Sequence, residues 1–124
     1  MKRPQPMQPP GTLLHIVPRT FRPLRDALSE ASAALQSLDG IPLGGWRSKA
    51  AIFATAAASG RRETHDVLSL ASALASLASE YADAARLIAV ASSDSPHTLD
   101  AVREHTAAAQ RCARAAVKLL AALA

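Results

Sequence analysis

A chain of 124 residues that is 49% hydrophobic but only 3% aromatic has material for one domain with a modest core, drawn mostly from alanine. Its net charge is +4, yet residues 1–62 carry nine Lys/Arg against three acids and residues 63–124 five against seven, so the halves stand at +6 and −2. The single cysteine, Cys112, excludes an intramolecular disulfide and a multi-cysteine metal site, and the longest apolar run, Val67 to Ser79, is too short to span a membrane.

Alanine has the best helix propensity, and the β-branched and aromatic residues that strands prefer are scarce. An all-α fold follows. Residues 1–12 are proline-rich and read as a disordered or extended arm, leaving 13–124 as a single helical domain. Met1-Lys2-Arg3 is followed by Pro4-Gln5-Pro6-Met7-Gln8-Pro9-Pro10 rather than the apolar core of a signal peptide, which argues against the general secretory route. The chain reads as soluble.

The first helix is expected to start near Pro18, a residue suited to a first turn. Phe21, Leu24, Leu28, Ala31, Leu35 and Leu38 then follow three- and four-residue steps on one stripe. Gly40 and Pro42 end it. After the run Asp39-Gly40-Ile41-Pro42-Leu43-Gly44-Gly45, the same steps resume at Trp46 and continue through Ala50, Phe53, Ala57, Gly60, Thr64, Val67, Ala71, Leu74, Ala78, Tyr81, Ala85 and Ile88. That unbroken register favours one long central helix, about 68 Å at 1.5 Å per residue. The alternative is a break near Gly60 that turns the molecule into a four-helix bundle.

Ser95-Pro96 is an N-cap with proline at the first helical position. A C-terminal helix starts there, its expected stripe being Leu99, Val102, Thr106, Ala109, Ala113, Ala116, Leu120 and Leu123. Short connections make neighbouring helices antiparallel, so residues flanking the first turn face each other where their numbers sum to about 84. Leu38 is thereby expected to meet Trp46, Ala31 to meet Phe53, and Leu24 to meet Gly60, whose missing side chain would allow close approach. Arg19 and Arg22 come near Arg61 and Arg62. The predicted fold is an antiparallel helical hairpin with Trp46 at its turn plus a third, C-terminal helix.

Polar groups that converge in a dry pocket, as catalysis requires, are not apparent. His15, His65, His97 and His105 are scattered. Glu63, His65 and Asp66 are close in sequence but point in different directions on a helix, and no Glu-x-x-His pattern repeats to build a two-metal site. The reading is non-enzymatic, with no catalytic residue, no metal and no cofactor.

Trp46-Arg47-Ser48, followed by Ala50-Ala51 and Phe53, resembles the Trp-x-Gly turn of the WXG (ESAT-like) family of small helical hairpins from bacterial type VII secretion. Leu14-His15-Ile16-Val17-Pro18 and the Ala/Leu-rich flanking helices are similar to the actinobacterial members. The resemblance covers roughly residues 13 to 91. Ser48 stands where the family has glycine, and Tyr81 is followed four positions later by Ala85, so the Tyr-x-x-x-Asp/Glu export signal is missing. The resemblance implies a secreted factor, or the targeting partner or chaperone of a larger effector. Such a protein is made in the cytoplasm, is exported where it is exported at all by a non-Sec type VII route, and acts by packing its helices in a homo- or heterodimer. Trp46, Ser48, Phe53, Arg47 and Lys49 are the residues expected to bind the partner. An alternative is a basic helical protein that binds nucleic acid or another anionic surface through Arg19, Arg22, Arg61 and Arg62, although no interleaved aromatics supply a base-stacking surface. No small-molecule substrate is expected.

Overall fold

A computed structural model describes residues 11–42, 44–91 and 95–123, with residues 11–21 described by their backbone alone. Most of the expected proline-rich arm lies outside the described residues. Those residues form four helices and no strand: α1 (Gly11–Gln36), α2 (Arg47–Ser59), α3 (Glu63–Ala91) and α4 (Pro96–Leu123). The α3–α4 seam is the most extensive, α2–α3 and α1–α4 come next, and α1–α2 is the slimmest.

The long central helix is not formed. Gly60 ends α2 with φ +75°, in the left-handed region, and its N–H donates to the Ala57 carbonyl at 3.2 Å. α3 begins on the far side of Arg61 and Arg62, with Asp66 N–H donating to the Arg62 carbonyl at 2.8 Å. The sequence register runs through this point because alanine and leucine recur on both sides of it. Backbone conformation, not apolar spacing, makes the break. A Cβ added at Gly60 would meet nothing within 4 Å, so the expectation that glycine permits close helix approach gives way to a different reason. Only glycine occupies positive φ at little cost.

α1 begins at Gly11, ahead of the expected start, so Pro18 and Pro23 both fall inside it. Its buried face runs through Leu24, Ala27, Ala31 and Ala34 and continues to Leu38 in the turn that follows, with Leu28 and Leu35 half-buried at its margin. A helix with two neighbours buries a wider face than a single stripe, and α1 touches both α2 and α4. Its pairing with α4 is antiparallel: Arg111 Nε donates to Ser37 Oγ at 2.9 Å near one end of α1, and Lys118 Nζ reaches Glu30 Oε1 at 2.7 Å farther along.

α4 starts as expected. Ser95 Oγ accepts the Thr98 N–H at 3.2 Å, and the Ser95 carbonyl accepts from the amides of Thr98 and Leu99, an N-cap with Pro96 in the first helical position. The expected stripe, however, is rotated. Leu99 and Leu120 are about half exposed, while His105, Ala108, Cys112, Ala115 and Leu119 are buried. With alanine on every side of α4, neighbouring faces differ little in apolar content, and its long seam with α3 selects the face that meets Tyr81.

Tyr81 is the largest fully buried side chain. Its ring centroid lies 5.9 Å from that of His105, tilted by 56°, a contact between two rings across the α3–α4 seam. Leu70, Leu74, Leu77, Cys112 and Leu119, all fully buried, belong to the same core cluster. Burial pushes the Cys112 thiol up from its ordinary value, which keeps it protonated and unreactive. No helix among the described residues is long and apolar enough to cross a membrane.

Candidate partner-binding site around Trp46

The chain between α1 and α2 turns sharply at Gly40 (φ +84°) and Gly44 (φ +96°). Leu38 and Ile41 are buried beneath it. α2 has no side-chain cap of its own at Trp46. The orphan amides at its start are met by α3: Glu80 Oε2 accepts Gly45 N–H at 3.1 Å and Oε1 accepts Trp46 N–H at 3.3 Å. A carboxylate at this end also complements the positive pole of the helix.

Arg47 closes the corner. Its guanidinium donates to Asp39 Oδ1 at 2.8 Å and also reaches the Tyr81 hydroxyl. Burial raises the Tyr81 pKa above its ordinary value of 10.0, with the Arg47 charge opposing the rise. Gly44 packs directly on this assembly, since a Cβ there would lie 2.6 Å from the Tyr81 hydroxyl. Its positive φ and this lack of room both demand glycine.

The five expected partner-binding residues therefore separate. Trp46 is 37% exposed and lines a shallow groove of about 360 Å³ with Phe53, His65, Leu68 and Ser72. Its ring is turned toward α3, not inward as the anchor of the first turn. Lys49 Nζ sits 4.5 Å from the indole centroid, in cation–π geometry. Phe53 is half-buried against the core. Arg47 and Ser48 lie on the opposite side of α2, lining a cavity with Leu35, Gln36 and Asp39 of the α1 side. Helical periodicity explains the division, because positions 46, 49 and 53 share a face from which 47 and 48 diverge.

Leu68, 47% exposed, belongs to the Trp46 groove, and Ile52 on α2 is 65% exposed. Sequence reasoning missed Leu68 because, read as one continuous helix, α3 could not fold back beside Trp46. Glu80 was missed for the same reason. A signal was present in both cases: an N-terminus lacking a capping side chain at position 46, and an apolar residue one step off the α3 stripe.

The alternative basic set is also divided. Arg22 lines a groove between α1 and α4 with Asp26 and Lys118, whereas Arg61 and Arg62 are exposed on the α2–α3 turn. The Arg19 side chain lies outside the described residues. No group of three or more His, Cys, Asp or Glu that could hold a metal ion is found among the described residues. The sequence matches no known family model and no curated protein, and no solved structure matches the fold.

Proposed function

We propose that this chain is a non-enzymatic adaptor that binds another helical protein through the outer α2–α3 face at Trp46. The observation that carries this reading is the position of the indole: exposed, cradled in a groove, and stacked by Lys49 rather than used inside the core. Large aromatics half-open to solvent are preferred anchors in protein interfaces. Phe53 supplies a firm floor, and Leu68 extends the apolar area. Completing the burial of such an indole contributes on the order of 2 kcal/mol.

The resemblance of Trp46-Arg47-Ser48 and Phe53 to the WXG turn supports a partner from a type VII secretion system, a second small helical protein or a larger effector. Co-expression with the product of the neighbouring gene, followed by mass measurement in solution, tests this. A stable complex that is lost in Trp46→Ala and Leu68→Glu but retained in Arg22→Gln supports it. A complex indifferent to both groove substitutions, or only a monomer, refutes it.

A second reading rests on Arg61 and Arg62, which form no ion pair among the described residues. They would bind nucleic acid or another anionic surface, with an affinity that falls steeply as salt is added.

A further inference from the structure

Four branched aliphatic side chains are left on the outside of α4. Leu99, Val117 and Leu120 are 51%, 66% and 49% exposed, Val102 is half-buried, and Thr106 and Ala113 between them are exposed. Their spacing sets all six along one strip of the helix, and none is charged. Arg111 and Lys118, which reach α1, lie on the other side of α4, so the strip borders α3.

The strip reads the same in both directions, with steps of three, four, seven, four and three residues from Leu99 to Leu120. Its centre falls between Ala109 and Gln110, which is also the centre of α4 (Pro96–Leu123). A second α4 laid antiparallel about a two-fold axis at that point overlaps the first along all 28 residues. Any two-fold contact returns i to j and j to i. Here the exchange sets like against like: Leu99 comes level with the other copy's Leu120, Val102 with its Val117, and Thr106 with its Ala113. A foreign partner has no need of that reversal symmetry, whereas a second copy of this chain uses it twice.

The overlap is about 42 Å long, and α4, about 10 Å across, covers about 400 Å² per copy. Helices pack 8–10 Å apart, so a helix on the strip also meets the flank of α3, which adds up to about as much again. The sum approaches the share of about 800 Å² that each partner gives a standard interface. Arg103 and Arg114 are exposed beside the strip, and their repulsion across the axis is small and screened by salt.

We propose that two copies of this chain associate through α4, antiparallel about a two-fold axis at Ala109 and Gln110. The contact lies outside residues 13–91, the stretch that resembles the WXG hairpin, and uses no residue of the Trp46 groove. It therefore stands independently of the proposed partner.

Sedimentation equilibrium of the full chain up to about 1 mM, where even a weak pair associates, is expected to show a reversible monomer–dimer equilibrium that added salt does not weaken. Val117→Glu, at an exposed position, is expected to weaken the dimer at least about tenfold while the helical circular dichroism stays unchanged. Leu99→Lys and Leu120→Glu should each dissociate it. Mixing those two variants should restore it, because antiparallel packing brings the new cation level with the new carboxylate and parallel packing does not. Trp46→Ala should leave it intact. A chain that stays monomeric throughout the range, a dimer unmoved by Val117→Glu, dissociation by salt or by Trp46→Ala, or a mixture that stays monomeric would each overturn the proposal.

Discussion

Replacing Gly60 with alanine separates the two architectures open to this sequence, because the change in stability has opposite signs in them. In a continuous helix, Gly→Ala stabilises by about 1 kcal/mol through helix propensity. In the observed fold Gly60 sits at φ +75°, where an L side chain costs about 1–2 kcal/mol. No steric clash adds to that, since a Cβ there meets nothing within 4 Å. The reduced freedom of the unfolded chain returns about 0.4–1 kcal/mol, leaving a net loss of about 1 kcal/mol. For a domain of this size that corresponds to a fall in Tm of about 4 °C. Urea unfolding followed by circular dichroism reads the difference as a lower midpoint with an unchanged slope. Gly60→Asn, which tolerates the left-handed region better, should lose less. A midpoint that rises in Gly60→Ala would mean that α2 and α3 are one helix, and the argument for the break would be wrong.

Leu38→Ala, at a fully buried corner position, should cost about 3 kcal/mol, whereas Trp46→Ala, with its ring partly in solvent, should cost no more than about 1–2 kcal/mol; paired denaturation curves check the order. Glu80→Ala removes the acceptor for the Gly45 and Trp46 amides and should cost about 1 kcal/mol, as loss of a helix cap does, with faster amide exchange confined to the start of α2. His105 is buried with Nδ1 on the Ala101 carbonyl at 2.8 Å and, among the described residues, no partner for Nε2, so His105→Leu should raise the urea midpoint slightly by removing an unsatisfied atom. Burial raises the pKa values of both Tyr81 and Cys112 above their ordinary 10.0 and 9.0, so the folded state holds these protons more tightly than the unfolded chain. Stability from this source is complete below about pH 9 and falls as the pH rises through and above the ordinary values; a Tyr81→Phe, Cys112→Ala double variant should flatten that decline, and a decline of the same steepness would refute the assignment.

At the candidate site, nearness in the chain and nearness in space part company. Trp46 and Phe53 stood out because aromatics are rare in this chain, and both do share a groove. Arg47 and Ser48 were grouped with them by adjacency in the chain, and the helix carried those two side chains to the opposite face. Leu68 and Glu80 join the site only because α3 doubles back along α2 after Gly60, a consequence of one glycine's backbone conformation that apolar periodicity does not record.

Local chemistry, by contrast, was readable wherever a residue acts on its own neighbourhood. Alanine content specified helix, Ser95-Pro96 specified the start of α4, and the glycines between α1 and α2 specified a turn, because each of these effects is settled within a few residues of chain. Which face of an alanine-rich helix goes inside is a different kind of question. When neighbouring faces carry nearly the same small apolar side chains, their burial energies nearly cancel, and the choice passes to the few large groups that must find partners across the bundle. Tyr81 against His105, Arg47 between Asp39 and the Tyr81 hydroxyl, and Glu80 on the amides of α2 made that choice, and they meet only once the helices are packed.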